Sequence, residues 1–294
     1  MKILILGSTG MLGSAIFNYF TKEKLDVWGT ARTTDSLKYF HLNQQDKIII
    51  GIDVLNQDNL VFLLNKVRPN LVINCVGVIK QQGNSKDPLI VLPINSMLPH
   101  RLSDLCEMIN ARMIHVSTDC VFSGNKGMYV EEDISDAEDL YGKSKYIGEV
   151  KNKEHVLTIR TSIIGHELNS RYSLIDWFLS QEGKVSGFSK AIFSGLPTIE
   201  LAKIIKKYII PNSTLSGMYH ISAEPIDKHE LLNIVKLIYK KDISIVENKE
   251  VILDRSLNSS KFRIKTGYNP PNWNDLIKMM FEYKVEFMDI DHVR

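Results

Sequence analysis

Tyr141 and Lys145 stand four residues apart in Tyr141-Gly142-Lys143-Ser144-Lys145. On a helix that spacing puts both side chains on one face. Reducing a carbonyl requires a hydride on carbon and a proton on oxygen, and a phenol can supply the proton. With an unperturbed pKa near ~10, a tyrosine is a poor acid–base group at neutral pH. An ammonium one turn away favours the phenolate, so Lys145 is expected to draw the Tyr141 pKa down towards the working range and to hold a cofactor ribose as well. Two further groups share the chain with this pair. Ser117-Thr118-Asp119 closes an apolar run, and Gly7-x-x-Gly10-x-x-Gly13 follows the first one. A dinucleotide pyrophosphate needs backbone amides at a helix N-terminus with no side chains in the way, which glycines at such a turn allow. Gly7, Thr9, Gly10, Met11, Leu12 and Gly13 are therefore cofactor-binding candidates, the alternative being an ordinary glycine-rich turn.

These groups depend on elements that bring them to one rim. Apolar runs at 2–7, 25–30, 47–54, 70–77, 112–118 and 155–161 alternate with helix-like segments at 11–21, 57–67, 92–110 and 140–152. Strands that are apolar on both faces and separated by helices predict a parallel sheet covered on both sides. Right-handed crossovers then make a doubly wound α/β (Rossmann) fold. In such a sheet the ligand crevice lies outside the carboxyl ends of the strands. Gly7, Gly77, Thr118 and Thr161 all fall at such ends, and Tyr141 begins the helix after the fifth strand. Beyond Thr161 the rhythm breaks: 165–195 is irregular, a helix resumes at 198–208, 217–222 is one more strand, and Asp227 caps a helix through Tyr239. The expected division is a dinucleotide-binding domain of residues 1–162 with 198–222, and a smaller, discontinuous substrate-binding lobe of 163–197 with 223–294.

The second run ends Gly29-Thr30-Ala31-Arg32, without the acidic residue that an NAD site usually carries there. Arg32 could instead pair with a 2′-phosphate, which favours NADPH over NADH; a solvated loop cation is the alternative. Asp53 and Val54 are candidates for the adenine edge. The 294 residues carry a formal net charge of +2, with dispersed basic residues, so no nucleic-acid partner is expected. Cys75, Cys106 and Cys120 are odd in number and widely spaced, which suggests neither disulfides nor a metal site and fits a reducing cytoplasm. Gly7 interrupts Ile3–Leu6 too early for a secretory signal. No run approaches the roughly 18 apolar residues of a membrane span.

The order Gly7-x-x-Gly10-x-x-Gly13, Asn74-Cys75-Val76-Gly77, Ser117-Thr118-Asp119-Cys120-Val121-Phe122 and Tyr141-x-x-x-Lys145 resembles the extended short-chain dehydrogenase/reductase superfamily. Ile159-Arg160-Thr161-Ser162, Leu196-Pro197-Thr198 and Arg255-Ser256-x-x-Ser259 extend the likeness over nearly the whole chain, and the nearest branch is dTDP-4-dehydrorhamnose reductase. The resemblance implies an NADPH-dependent reductase of the 4-keto group of a nucleotide-linked sugar, with NADH as the alternative cofactor and a homodimer as a candidate assembly. By the same resemblance Tyr141 is the proton donor, Lys145 its partner at the ribose, and Thr118 the hydrogen-bond donor to the carbonyl. Asn95 belongs to the supporting proton network or simply bridges the sheet. Cys75, Val76 and Gly77 line the nicotinamide side, and Asp119 and Val121 join the substrate pocket. Arg255, with Ser259, meets the substrate diphosphate.

The chain departs from the branch at Cys120, where tyrosine is common. Sugar-nucleotide dehydratases carry a second carboxylate after Asp119, and Cys120 stands in its place, which disfavours elimination. A 4-epimerase would use the same Tyr141 and Lys145. A non-catalytic nucleotide-binding subunit on this scaffold is the reading from a different class.

Overall fold

The computed structural model describes residues 1–80, 83 and 85–288. The first half alternates as anticipated: β1 (Lys2–Leu6), α1 (Met11–Lys22), β2 (Asp26–Ala31), β3 (Ile48–Ile50), α2 (Gln57–Val67), β4 (Leu71–Asn74), α3 (Pro88–Leu92), α4 (Leu98–Met108), β5 (Arg112–Val116), α5 (Leu140–Ile147) and β6 (Val156–Arg160). Then come β7 (Ile163–Ile164), α6 (Leu174–Ser180), β8 (Lys184–Phe188), β9 (Ala191–Phe193), β10 (Leu196–Pro197), α7 (Thr198–Ile204) and β11 (Gly217–His220). The chain ends with β12 (Ile226–Asp227), α8 (Lys228–Ile238), β13 (Ser244–Asn248), β14 (Leu253–Asp254), α9 (Ser260–Thr266) and α10 (Trp273–Phe287).

Seven strands form one sheet in the order β11-β6-β5-β4-β1-β2-β3, every pairing parallel. The order reverses between β1 and β4. That switch point opens the crevice in which an α/β sheet binds its ligand. β4 and β6 are buried along their whole length, and β1 from Ile3 onward, because helices cover both faces of the sheet. One cluster, including Ile5, Ile16, Phe17, Ile73 and Leu157, continues without a break into Phe178, Phe193, Leu231 and Trp273. A second, with Leu4, Leu63, Val72, Leu102 and Met113, fills the other side. Outside the main sheet, β9 lies between β12 and β14, β8 pairs with β13, and β7 with β10.

Three expectations differ from what forms. The 47–54 run pairs only at Ile48–Ile50: Lys47 ends a 3₁₀ turn, and Gly51 at φ +81° swings the chain off the edge strand. The 92–110 helix starts earlier, at Pro88, and is broken by a π segment at Pro93–Met97, because Pro93 has no amide to donate. The 140–152 helix stops at Ile147, capped by Gly148. In addition, α10 does not keep to the lobe side. Tyr283 packs on Ala15 and Ile199 and accepts a hydrogen bond from Asn18 at 3.2 Å, which seats the C-terminal helix against α1 and α7. No helix among the described residues is long and apolar enough to cross a membrane.

Candidate active site

The glycine turn has the form its spacing implied. Gly7 sits at φ +80°, and the Gly10 amide closes the turn on the Gly7 carbonyl at 3.0 Å. A Cβ on Gly13 would lie 2.1 Å from that same carbonyl oxygen, so only glycine lets α1 start this close to β1. The Gly7 amide is tied to Thr30 Oγ1 at 3.2 Å, and Ser8 Oγ donates to the Thr30 carbonyl at 2.8 Å, which fixes the loop to β2. No side chain caps the start of α1, and its first turn holds no acid. Its first amides therefore have no side-chain cap, as an approaching dinucleotide pyrophosphate requires. Gly10 is exposed, Thr9 and Met11 are half-buried, and Leu12 is a core residue that can offer only its backbone. Arg32 is exposed just past β2 and has no ion pair or hydrogen bond among the described residues. The residues present fit a nicotinamide dinucleotide. Asp53 instead serves its own loop, accepting from the Leu55 amide at 2.9 Å, with Val54 half-buried beside it.

The tyrosine helix is aimed by its cap. Asp139 accepts from the Gly142 amide at 2.7 Å, starting α5 one residue before Tyr141. A Cβ on Gly142 would meet the Cys120 carbonyl at 2.2 Å, so the helix start lies hard against the carboxyl end of β5. Lys145 is 5% exposed, and its ammonium donates to the Val116 carbonyl at 2.8 Å on that same strand. Burial pulls its pKa down to about 8, with Glu149 and then Cys75 resisting the fall. Thr118 Oγ1 donates to Asp119 at 3.1 Å, accepts from the Cys120 amide at 3.1 Å, and is in hydrogen-bonding reach of the Tyr141 hydroxyl. The structure thus brings Thr118, Tyr141 and Lys145 to the carboxyl end of β5, with Cys75 among the ionisable neighbours of Lys145.

The expected pKa of Tyr141 is corrected. Burial, followed by the neighbouring Cys120, raises it above the ordinary phenol value, and the Thr118 hydrogen bond only moderates the rise. Lys145 does not lower it here, because its ammonium is turned onto Val116 and is itself desolvated. Tyr141 therefore keeps its proton at neutral pH, the state a proton donor needs.

Asn95 lies in the π segment and is buried. Its side chain accepts from the Val78 amide at 2.9 Å and donates to the Val78 carbonyl at 3.0 Å and to Ser144 Oγ at 3.2 Å. It braces the loop after β4 against α5, so it is a positioning residue. Asp119 is buried, with its carboxyl pKa raised by that burial and partly restored by Arg255. Arg255 is half-buried at the same wall, donating to the Phe122 carbonyl at 2.8 Å. Two expected substrate contacts are not brought to the pocket. Val121 is fully buried with Phe122, Tyr129 and Leu257. Ser259 is 2% exposed, and its hydroxyl is occupied by Ser222 and by Arg263 Nε at 3.0 Å. Both follow Arg255 or Thr118 closely in sequence, but neighbouring positions point in different directions.

Sequence reasoning missed two features. Beneath Thr118, the carboxylate of Glu149 accepts from Ser117 Oγ at 2.9 Å, from Arg160 Nε at 2.7 Å and from Arg160 Nη2 at 2.8 Å, all buried. Its spacing of four from Lys145 could have flagged it. Lys228, the first residue of α8, has Asp119, Cys120 and Arg255 as its ionisable neighbours. No motif marks it. Among the described residues, no group of three or more His, Cys, Asp or Glu side chains is placed to hold a metal ion.

The family model described as "RmlD substrate binding domain" matches residues 1–283. The chain belongs to this family. Among its relatives, dTDP-4-dehydrorhamnose reductase of Aggregatibacter actinomycetemcomitans is 26% identical over 233 residues, 76% of this chain and 74% of that one. Methionine adenosyltransferase 2 subunit beta of Xenopus laevis is 25% identical over 252 residues, 78% of this chain and 70% of that one. The solved dTDP-4-dehydrorhamnose reductase of Bacillus anthracis in complex with NADP superposes with a TM-score of 0.78 at 20% identity, covering 96% of this chain and 99% of that one. At that identity the likeness speaks for the doubly wound fold.

Proposed function

We propose that this protein catalyses NADPH-dependent reduction of the C4 keto group of a 6-deoxy-4-keto sugar linked to dTDP or UDP. The observation that carries the reading is the meeting of Tyr141, Thr118 and Lys145 at the β5 end, across the switch point from the glycine turn. The glycine turn would hold the pyrophosphate of the dinucleotide, whose dihydronicotinamide would supply a hydride to C4. The chain's own residues do the rest. Tyr141 passes its phenolic proton to the carbonyl oxygen, Thr118 holds that oxygen in line, and Lys145 steadies the ribose. Binding energy from the distant nucleotide and diphosphate positions the carbonyl. The family match and the likeness to a dTDP-4-dehydrorhamnose reductase support the substrate class. The NADP complex of the Bacillus structure and the exposed Arg32 support the cofactor.

The test is NADPH oxidation against a panel of dTDP- and UDP-linked 4-keto sugars. One of them should be reduced with stoichiometric NADPH consumption. Tyr141→Phe should lower turnover at least ~100-fold, the low end for loss of a general acid, while NADPH binding stays unchanged. Unchanged turnover in that variant would refute the assignment. A second reading, a non-catalytic nucleotide-binding subunit, is favoured by the likeness to methionine adenosyltransferase 2 subunit beta. It predicts nucleotide binding without NADPH consumption on any member of the panel.

A further inference from the structure

The small sheet beside the pocket aligns two cations. β12 and β14 both pair with β9, and Asp227 and Asp254 both stand opposite Ile192. Lys228 and Arg255 are the residues immediately after those aspartates. Lys228 opens α8 just past β12 and Arg255 lies just past β14, so the two cations flank β9 from either side. The aspartates are used locally: Asp227 caps α8 through the Glu230 amide at 2.8 Å, and Asp254 accepts from the Ser256 amide at 2.9 Å.

Lys228 and Arg255 share two ionisable neighbours, Asp119 and Cys120. The Cys120 thiol is pushed up to about 12 and stays neutral. The Asp119 carboxyl is buried and already accepts from Thr118. Asp119 is thus the one carboxyl among the neighbours of Lys228, while Arg255 also acts on Asp136 and Asp139. Arg255 spends Nε on the Phe122 carbonyl and has only the Cys120 sulfur, at 3.6 Å, near Nη1. Lys228 is half-buried and makes no ion pair or hydrogen bond among the described residues. Burial lowers its pKa, and Arg255 adds to that. An ammonium withdrawn from water without a partner is unfavourable unless an anion completes it.

We infer that Lys228, together with Arg255, binds the diphosphate bridge of the nucleotide-linked substrate. The inference rests on the proposed function and deepens it: Lys228 acts on substrate affinity and takes no part in the hydride and proton transfers. A diphosphate presents several anionic oxygens to two cations that start on different strands, and so can satisfy both at once.

Calorimetric titration of the full-length protein with dTDP and UDP tests this. Lys228→Met keeps most of the side-chain stem and removes the charge. We expect it to weaken binding of whichever diphosphate the wild type prefers by about 10-fold or more, equivalent to ~1.4 kcal/mol. NADPH affinity should be unchanged and the melting temperature should not fall, and Lys228→Arg should restore most of the loss. In turnover the loss should appear in KM rather than kcat. Equal diphosphate affinity in wild type and Lys228→Met, or a loss that Lys228→Arg does not restore, overturns the inference and leaves the reductase reading intact. A wild type that binds NADPH but neither dTDP nor UDP sinks the nucleotide-linked substrate, and this inference with it.

Discussion

Removing Glu149 should test whether the buried ion pair holds the β5 end in place. Its carboxylate is fully buried and receives both Arg160 nitrogens, the Ser117 hydroxyl and, at 3.1 Å, Lys151. Arg160 is 1% exposed. Without Glu149, its remaining neighbours are the Glu131 carbonyl at 3.4 Å, His220 Nε2 at 3.3 Å and the face of Phe122, 5.1 Å from the ring centroid. Deleting one partner of such a pair leaves a buried charge uncompensated and costs about 3–5 kcal/mol. At roughly 2 °C per kcal/mol for a chain of this size, Glu149→Ala should melt about 6–10 °C below wild type in a calorimetric scan. Replacing both partners with apolar residues, Glu149→Leu with Arg160→Met, should recover most of that loss, since a buried pair exchanged for packed side chains is often neutral. The control is Lys22→Ala, which breaks the pair with Glu286, whose side chains are 51% and 46% exposed. That change should move the midpoint by less than about 2 °C. A Glu149→Ala shift no larger than the control's, or a double variant worse than the single one, would refute the reasoning.

Two further outcomes concern cofactor and pH. Arg32→Ala should raise the Kd for NADPH at least ~10-fold, the loss of one charge-assisted contact, and leave the Kd for NADH nearly unchanged; equal effects on both would remove the 2′-phosphate role. Because Lys145 is held at about 8, kcat/KM should fall as pH rises through that value, and Glu149→Gln, which removes the main charge resisting the shift, should move the limb to lower pH. The sign for stability is the reverse. The unfolded chain keeps this proton up to about 10.5, so the destabilisation from a buried ammonium, full below pH 8, disappears between 8 and 10.5 and the contribution of Lys145 to stability improves over that range. A pH-independent kcat/KM from 7 to 9 would contradict the assignment.

The main sheet was legible because its signal is dense. Strands buried on both faces read as unbroken apolar runs, and the loops between them carry caps such as Asn56 and Asp227, which accept from the Asn59 and Glu230 amides. The segment 165–195 was opaque because its elements are short: α6 has seven residues, β8 five and β9 three, too few for a period to stand out. The π break at Pro93–Met97 was missed although Pro88, Pro93 and Pro99 announce trouble for a single helix. At the site, Tyr141, Lys145 and Thr118 were readable because spacing and strand ends converge on them. Lys228 was not, because its importance comes from two strands that meet through β9, far apart in sequence. Val121 and Ser259 were read too generously: standing beside a functional residue does not determine which way a side chain points.

The central claim is a hydride delivered to a sugar carbon from a dinucleotide at the glycine turn, with the proton coming from Tyr141. The most direct measurement incubates the protein with each 4-keto sugar nucleotide and NADPH carrying deuterium at the transferable C4 position, then weighs the sugar product. The account predicts one deuteron bound at C4 of the sugar for each NADPH oxidised, with Tyr141→Phe losing label transfer while still binding the cofactor. Product without deuterium, or cofactor bound and never oxidised across the whole panel, would contradict it.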